Sequence, residues 1–515
     1  MEAAFASQAR EPVRRESGGM ATQDHPASAH GVVTGPEVDH RTTGERMALG
    51  KAARSRVPRS AQAAWEPASD RPDPVALLES QALTRVQDLV PIRYGRMLVS
   101  PFNFYRGAAL IMASDLSTTP RSGITVQACG DAHLSNFGVF ASAERSLVFD
   151  VNDFDETLPG PWEWDLKRLA ASLAIAGRER GFTDKERAGV VLEAAAAYRT
   201  EMARLAAMRD LEVWYARMDI EKVLEEIGDD LGLTKAKGAA KGGGKGLSKV
   251  KARADKALAK ARTRDSLQAL EKLTKVVDGE TRFVSDPPLL VPIEELVPEG
   301  EGRALTDSFH ELLRNYRSTL QSDRQHLLSQ FRFVSIARKV VGVGSVGTRA
   351  WVILLVGSDG TDPLLLQAKE AQDSVLAEFV GKSRYVNQGE RVVAGQHLMQ
   401  ASSDIFLGWE RVTGLDGVER DFYVRQLRDW KGSADTDVMV PKGMAIYGRL
   451  CGWTLARAHA RSGDRIAITA YLGSGKSFDN AIASFAETYA DQNERDYDAL
   501  AKAAAEGRIT VESGL

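Results

Sequence analysis

Residues 124–155 read ITVQACGDAHLSNFGVFASAERSLVFDVNDFD, and this stretch has the most informative pattern in the chain. Apolar, β-branched and aromatic residues flank two polar clusters, so the pattern predicts strand, loop, strand, turn and strand. Each polar cluster follows an apolar strand and contains aspartate. The stretch therefore predicts two acidic loops, each held at the end of a strand.

The first acidic loop is GDAHLSN, residues 130–136. Phosphoryl transfer needs a carboxylate that orients the attacking hydroxyl or accepts its proton, and an oxygen ligand for the Mg²⁺ of the nucleotide. Asp131 and Asn136 supply these two groups from one loop. We predict Asp131 as the catalytic base and Asn136 as a metal ligand. His133 is predicted to be structural, because the flanking motifs of a two-metal phosphoesterase are missing from the sequence.

The second acidic loop is NDFD, residues 152–155, with Asp150 just before it. Mg²⁺ prefers hard oxygen ligands and uses one or two carboxylates together with substrate phosphates. Asp153 is the predicted metal ligand, and Asp155 is the second candidate. Taken alone, an aspartate-rich turn is usually an exposed turn, because Asp and Asn favour turns for backbone reasons.

A glycine-rich segment, GVGSVG, occupies residues 342–347. Glycines let the backbone approach phosphates closely, and the N–H groups there can bind phosphate oxygens. A dinucleotide-binding fold needs a helix after these glycines, whereas residues 348–356 are β-branched and apolar and predict a strand, as in the hairpin of a kinase glycine-rich loop. The predicted phosphate-binding residues are Gly342, Gly344, Ser345 and Gly347.

The next predicted strand, PLLLQAKE at residues 363–370, carries a lysine near its end. A lysine at the end of such a strand can hold the α- and β-phosphates of ATP and pair with a glutamate. Lys369 is the candidate, with Glu378 in the following helix as its expected partner and Glu370 as the alternative. The backbone of residues 426–428 is predicted to be a hinge that meets adenine.

The two loops resemble motifs of the aminoglycoside-phosphotransferase and choline-kinase branch of the protein-kinase-like superfamily. That branch carries H-G-D-x-x-x-x-N, then I-D-F/W, then D-L-A, and this chain has CGDAHLSN, VNDFDE and WDLKRLA. The resemblance implies that Asp131 is the catalytic base, that Asn136 and Asp153 hold metal, and that Asp165 braces the loop. Cys129 stands where the family has histidine.

A narrower resemblance is to the bacterial domain-of-unknown-function 2252 family. It is carried by SPFNFYRGAA at residues 100–109, by GDAHLSNFG, and by FDVNDFDETLPGPWEWDLKRLAAS at residues 149–172. It covers most of the chain after the N-terminal tail. The family name implies no established reaction.

The order of the motifs, with the catalytic loop before the glycine loop, predicts a circularly permuted fold. Circular permutation is tolerated because chain termini often lie close together at the surface. The predicted fold class is α+β, a two-lobed protein-kinase-like fold. The predicted regions are a disordered tail (1–74), a large catalytic lobe (75–329) with a basic flexible insert at about 234–264, a small nucleotide-binding lobe with the hinge (330–432), and C-terminal helices that complete the large lobe (433–515).

Composition narrows the partners. The chain has 515 residues, a net charge of -3 and two cysteines. The charge gives no case for a nucleic-acid partner, the sequence has no apolar run long enough to span a membrane, and so few cysteines suit a reducing compartment. We predict a cytoplasmic protein whose partners are ATP and an unidentified phosphoryl acceptor.

The predicted function is phosphoryl transfer that depends on ATP and Mg²⁺. Two alternatives stay open at this point: nucleotidyl transfer on the same fold, and a nucleotide-binding pseudokinase with a regulatory role. Arg106 either contacts the acceptor or a phosphate, or forms a structural ion pair. LGSGKS at residues 472–477 is not a Walker A loop, because its first required glycine falls at Ala470.

Overall fold

A computed structural model describes residues 40–220, 259, 262–263, 266–277, 280–296, 311–340, 342–358, 362–414, 416–427 and 430–514. The predicted basic insert at about 234–264 lies outside these residues, except for residues 259, 262 and 263. All elements below belong to one unit, Thr43–Leu515. The architecture is mixed α+β, as predicted.

The described strands are short in the first part of the chain and longer in the second. They are β1 (Thr125–Ala128), β2 (Phe137–Ala141), β3 (Leu147–Val151), β4 (Leu158–Pro161), β5 (Thr274–Val277), β6 (Glu280–Phe283), β7 (Leu290–Pro292), β8 (Arg332–Lys339), β9 (Ala350–Val356), β10 (Pro363–Ala371), β11 (Gly408–Thr413) and β12 (Glu419–Gln426).

Helices fill most of the remaining described chain. They are α1 (Thr43–Arg56), α2 (Pro74–Ala82), α3 (Val90–Met97), α4 (Pro101–Gly107), α5 (Ala109–Ser117), α6 (Trp162–Glu179), α7 (Asp184–Ala206), α8 (Asp210–Tyr215), α9 (Ser266–Leu273), α10 (Ser322–Leu328), α11 (Ala377–Val380), α12 (Gln388–Met399), α13 (Pro441–Ser462), α14 (Arg465–Leu472) and α15 (Ser477–Ala505).

The largest sheet has six strands in the order β11-β12-β10-β9-β8-β7, and all its neighbours are antiparallel. Strand β10 lies in the middle and is buried at every position, which explains its nearly continuous apolar sequence. Lys369 is an exception to that apolar pattern and pairs in register with Ala350 on β9 and Tyr423 on β12. Lys369 is 3% exposed, so its charge is held on a buried part of the sheet and not on a solvated face.

Two smaller antiparallel pairs carry the acidic loops. Strand β1 pairs with β4, and β2 pairs with β3. The predicted strand pattern of residues 124–155 is confirmed by β1, β2 and β3. Helix α6 begins directly after β4, and Asp165 in its first turn contacts the backbone of Cys129 and Gly130 at the start of the loop that follows β1.

The helical core is built around α6, α7, α13 and α15. Helices α7 and α13 approach closely because α13 carries glycine at the contact: a Cβ atom on Gly452 would lie 2.2 Å from the Ala194 carbonyl oxygen. Trp162 is fully buried and stacks on Tyr198 with ring centres 5.6 Å apart. Aromatic pairs and close backbone approach thus hold the layer that supports the acidic loops.

Lys167 of α6 is an unusual member of this core. It is fully buried, its ammonium group has no hydrogen-bond partner within the described structure, and it lies 4.8 Å from the centre of the Phe485 ring. Burial lowers the pKa of Lys167 to about 8, although the nearby Glu163 carboxylate opposes the shift. Burying the charged form of Lys167 therefore lowers the free energy of unfolding. This loss is fully present below about pH 8 and vanishes as the pH rises toward 10.5, the ordinary pKa of lysine.

We expect Lys167→Met to raise the free energy of unfolding at neutral pH by about 1–3 kcal/mol, since an apolar side chain of similar size replaces an unpaired buried charge. The gain should shrink as pH rises from 8 toward 10.5. Urea unfolding across this range measures it, with Lys185→Met on the exposed side of α7 as the control. A destabilised Lys167→Met protein at neutral pH would contradict the expectation.

The N-terminal boundary differs from the prediction. The predicted disordered tail extends to residue 74, but residues 43–56 form α1, and Trp65 is buried. Gly50 of α1 packs so closely on α14 that a Cβ atom there would lie 2.1 Å from the Ala467 carbonyl oxygen. This helix is ordered by a distant contact, which the weak local apolar pattern does not reveal. Residues 1–39 of the predicted tail lie outside the described residues.

The predicted C-terminal helical region, residues 433–515, contains α13, α14 and α15. Among the described helices, none is long and apolar enough to cross a lipid bilayer.

Candidate functional site

The first acidic loop leaves β1 through a glycine turn. Gly130 has φ +82°, and a Cβ atom there would lie 2.4 Å from the Glu156 carbonyl oxygen, so this position requires glycine. Asp165, in the first turn of α6, accepts the N–H groups of Cys129 at 2.6 Å and Gly130 at 2.9 Å. The predicted bracing of the loop by Asp165 is confirmed.

Helix α13 supports the same loop from the C-terminal part of the chain. The His459 Nε2 atom lies 3.1 Å from the Asp165 carboxylate, and the Tyr447 hydroxyl donates to the Leu134 carbonyl at 2.9 Å. Both contacts are buried. The loop conformation is therefore fixed from two sides, before any ligand arrives.

Asp131 projects from this loop beside two cations. Arg168 of α6 donates through Nε to Asp131 Oδ1 at 2.8 Å, and the charge of Arg106 is also close. Burial raises the pKa of Asp131, with the two arginines opposing the shift. The Asn136 amide donates to the Asp131 backbone carbonyl at 2.8 Å, which ties the two predicted functional residues together. His133 Nδ1 accepts the Ser135 N–H, so its predicted structural role is confirmed.

The second acidic loop is joined to the first through Cys129. The Cys129 thiol donates to the Asp153 carbonyl at 3.3 Å, so this cysteine links the two loops at the position where the resembling family has histidine. Asp153 accepts the Asp155 N–H at 3.2 Å. Asp150 does not face the cleft: it forms a buried ion pair with Arg457 and is structural.

Lys369 meets the second loop directly. Its Nζ atom lies 2.5 Å from Asp155 Oδ2, across 214 residues of sequence, and the Tyr423 hydroxyl donates to Asp155 Oδ1 at 2.5 Å. The expected partner, Glu378, is exposed on the short helix α11, and Glu370 pairs with Arg349 instead. The prediction of a glutamate partner for Lys369 is wrong, because Asp155 takes that place and Glu378 is exposed to solvent.

The pKa values of Asp153 and Asp155 shift in opposite directions. Burial alone raises the pKa of both, but Lys369 and the Tyr423 hydroxyl outweigh burial at Asp155 and bring its pKa to about 2. At Asp153 burial and the Asp155 charge prevail, and its pKa is raised. Burial lowers the pKa of Lys369, but Asp155 outweighs it and the net shift is upward. Asp155 is therefore the ion-pair partner of Lys369, whereas Asp153 forms no ion pair within the described residues.

The glycine loop lies over these groups. Gly342, Gly344 and Ser345 line the same cleft as Asp131 and Lys369, and the Ser345 hydroxyl lies 3.4 Å from Asp155 Oδ2. Gly347 has a different part: its φ is +85°, and a Cβ atom there would meet the Arg85 side chain at 3.1 Å. It turns the chain behind the loop and is absent from the cleft lining.

The cleft has a volume of about 590 Å³ and is mostly polar. It brings together the predicted residues Asp131, Asn136, Asp153, Asp155, Gly342, Gly344, Ser345 and Lys369, together with further charged residues that include Arg85, Arg93, Arg106, Glu156, Arg425 and Lys431. Of the predicted site residues, Gly347 and Glu378 lie outside the lining.

Several residues in and around the cleft were not predicted from the sequence: Arg425 and Lys431 line the cleft, whereas Arg391 lies outside its lining. Arg391 of α12 donates to the Asp155 carbonyl at 2.8 Å, and Arg425 of β12 donates to the Asn152 carbonyl at 3.1 Å. The charge of Arg425 and burial lower the pKa of Lys431 to about 7. Only Arg425 had a local signal, since it lies in the strand predicted to lead into the hinge.

The predicted hinge is only partly described. The Gln426 N–H donates to Asp404 at 2.6 Å, and the Leu427 N–H donates to the Leu365 carbonyl at 2.9 Å. Both N–H groups are already hydrogen-bonded within the fold, so they are not free to bind adenine as predicted. Arg428 lies outside the described residues.

The oxygen-bearing side chains in the cleft fit a magnesium ion that is bound together with a nucleotide. Within the described residues, no group of three or more His, Cys, Asp or Glu side chains could hold a metal ion alone. Mg²⁺ differs from metals that need a complete protein cage, because it uses one or two carboxylates and takes its other ligands from phosphates and water. Asp153 and Asn136 give such a partial oxygen set, beside a lysine and a glycine loop suited to phosphates.

Comparison with known proteins identifies a family but no function. The family model described as "Uncharacterized protein conserved in bacteria (DUF2252)" matches residues 85–503. No match was found among curated proteins or among solved structures.

Proposed function

Because the chain belongs to the bacterial DUF2252 family, whose description names no reaction, we propose from the cleft alone that it is an ATP- and Mg²⁺-dependent phosphotransferase. The observation that carries the proposal is the meeting of Asp131, Asp153, Lys369 and the glycine loop in one cleft. These are the parts that phosphoryl transfer requires: a base, a metal ligand and a phosphate clamp.

We further propose that the fold is a circularly permuted, two-lobed kinase-like fold. Support comes from the order of the sheet elements: β8 and β9 form a hairpin around the glycine loop, β10 carries Lys369, and α12 follows before β11 and β12. Support for permutation comes from α13, which follows this sheet in sequence and yet contacts the loop that follows β1.

In the proposed reaction the Asp131 carboxylate orients the acceptor hydroxyl and accepts its proton. The acceptor oxygen forms the new bond to the γ-phosphorus, while the bond to the bridging oxygen breaks and ADP keeps the electron pair. Lys369, held in place by Asp155, neutralises charge on the nucleotide phosphates. Asn136 and Asp153 would hold Mg²⁺, which supplies charge neutralisation at the phosphate oxygens when bound.

Labelled ATP tests this proposal. The full chain is incubated with Mg²⁺ and fractions of a bacterial metabolite extract, once with label in the γ-phosphate and once with label in the α-phosphate. We expect transfer of the γ-label alone. Transfer of the α-label would instead show nucleotidyl transfer, and binding of ATP without transfer of either label would favour the pseudokinase alternative.

A further inference from the structure

One wall of the cleft carries three arginines from the segment between α2 and α5. Arg85, Arg93 and Arg106 all line the same cleft as Lys369. Burial and the nearby charge of Arg85 lower the pKa of Arg93, so these two arginines are neighbours. Arg85 donates to the Val346 carbonyl of the glycine loop at 2.5 Å, Arg93 donates to the Gly107 carbonyl at 3.1 Å, and Arg106 adjoins Gly107. We call these three residues the arginine wall.

The central member of the arginine wall lacks a counter-ion. Arg93 is 1% exposed, and its Nε and Nη1 atoms have no hydrogen-bond partner within the described residues. Its only strong partners there are neutral, the Gln81 side-chain oxygen and the Gly107 carbonyl. No acidic side chain in the described structure pairs with it. A buried guanidinium in this state is costly unless an anion neutralises it.

The neighbours of Arg93 have spare donors as well. The Nε atoms of Arg85 and Arg106 are buried without a hydrogen-bond partner in the described structure. Burial lowers the pKa of both arginines, opposed by the charges of Glu156 and Glu370 at Arg85 and by Asp131 at Arg106. The wall thus runs from the glycine loop toward Asp131, with unused N–H groups along it.

We propose that the arginine wall binds an anionic group, a phosphate or a carboxylate, carried by the phosphoryl acceptor. Planar guanidinium groups suit both anions, because they donate paired hydrogen bonds to them. The location beside Asp131 fits an acceptor whose hydroxyl reaches Asp131 while its anionic group rests on the wall. The identification of the bound anion as part of the acceptor rests on the proposed function. The existence of the anion site does not depend on it.

The proposed acceptor class differs from that of the family branch that the acidic loops resemble. Choline and aminoglycosides carry positive charge, which three arginines would repel at short range. Specificity for an anionic hydroxyl compound would come from both effects, attraction of the anion and rejection of cations.

Calorimetric titration with inorganic phosphate tests the site in the full-length protein saturated with Mg²⁺ and a non-hydrolysable ATP analogue. We expect phosphate to bind the wild type, to bind Arg106→Gln at least about tenfold more weakly, and to show no binding to Arg93→Met. The matched control is Arg332→Gln, an exposed arginine of β8 outside the cleft lining, which should bind as the wild type does. A parallel titration with malonate separates carboxylate from phosphate preference.

Two further readouts keep the result interpretable. In phosphate-free buffer Arg93→Met should keep or raise the melting temperature, because it removes an unpaired buried charge, and it should lose the stabilisation that phosphate gives the wild type. If Arg93 were purely structural, Arg93→Met would lower the melting temperature without phosphate. If the analogue does not bind, phosphate is titrated into the nucleotide-free protein, where loss in Arg106→Gln but not in Lys369→Met supports the anion site while the proposed function fails. Absence of phosphate and malonate binding, or binding insensitive to the arginine variants, would overturn the inference.

Discussion

Asp131→Asn is expected to abolish most phosphoryl transfer, lowering the rate by about 10²–10⁴-fold, the usual contribution of a positioned general base. The amide oxygen can still accept the hydrogen bond that Arg168 donates, so the loop should keep its shape. An amide, however, does not accept the proton of a hydroxyl. Transfer of labelled γ-phosphate at saturating ATP measures the effect.

The affinity for ATP separates this role from a general loss of structure. Asp131 contacts Arg168 and its own loop rather than Lys369 or the glycine loop, so ATP affinity should stay near the wild-type value. Asp373→Asn, an exposed carboxylate in the lining of the same cleft, serves as the control and should keep its transfer rate. An Asp131→Asn protein that retains transfer within tenfold of the wild type would remove Asp131 from the role of base.

Asp155→Ala is expected to damage stability and nucleotide binding together. It leaves the buried ammonium group of Lys369 without its carboxylate and removes the acceptor of the Tyr423 hydroxyl. We expect the free energy of unfolding to fall by roughly 2–3 kcal/mol, less than the 3–5 kcal/mol typical of a fully enclosed pair, because Asp155 borders the open cleft. Urea unfolding measures the loss.

A second substitution separates the two effects. Lys369→Met in the Asp155→Ala background removes the uncompensated charge, so most of the lost stability should return, whereas ATP binding should stay absent. Asp373→Ala is the matched control and should change the free energy of unfolding by less than about 0.5 kcal/mol. If the double variant recovers ATP binding, Lys369 does not hold the phosphates.

Local sequence was sufficient to predict the acidic loops, where the functional side chains directly follow a strand that the sequence also predicts. The loops after β1 and β3 were predicted because aspartates follow apolar strands, and the bracing role of Asp165 was implied by the resemblance to the kinase-like branch. Residue pairs that depend on the tertiary fold were not accessible in the same way. Lys369 pairs with Asp155 and not with Glu378, since two strands and a distant loop decide that contact.

The arginine wall shows the same limit more strongly. Arg85 and Arg93 lie in a segment whose helical periodicity predicts only packing, and nothing near them in sequence marks a binding site. Arg93 stands out because it is buried without an acidic partner in the described structure, which is a property of the assembled fold. The ordered residues 43–56 are a parallel case, because α1 depends on its contact with α14.

The most direct test of the proposed phosphotransferase is calorimetric binding of ATP, with and without Mg²⁺, to the wild type and to Asp153→Asn. Asp153 is the cleft carboxylate that Lys369 leaves for a cation, so its amide should weaken a metal-bound nucleotide selectively. We predict Mg²⁺-dependent binding to the wild type that is at least about tenfold weaker in Asp153→Asn. Failure of the folded wild-type protein to bind ATP under either condition would contradict the account.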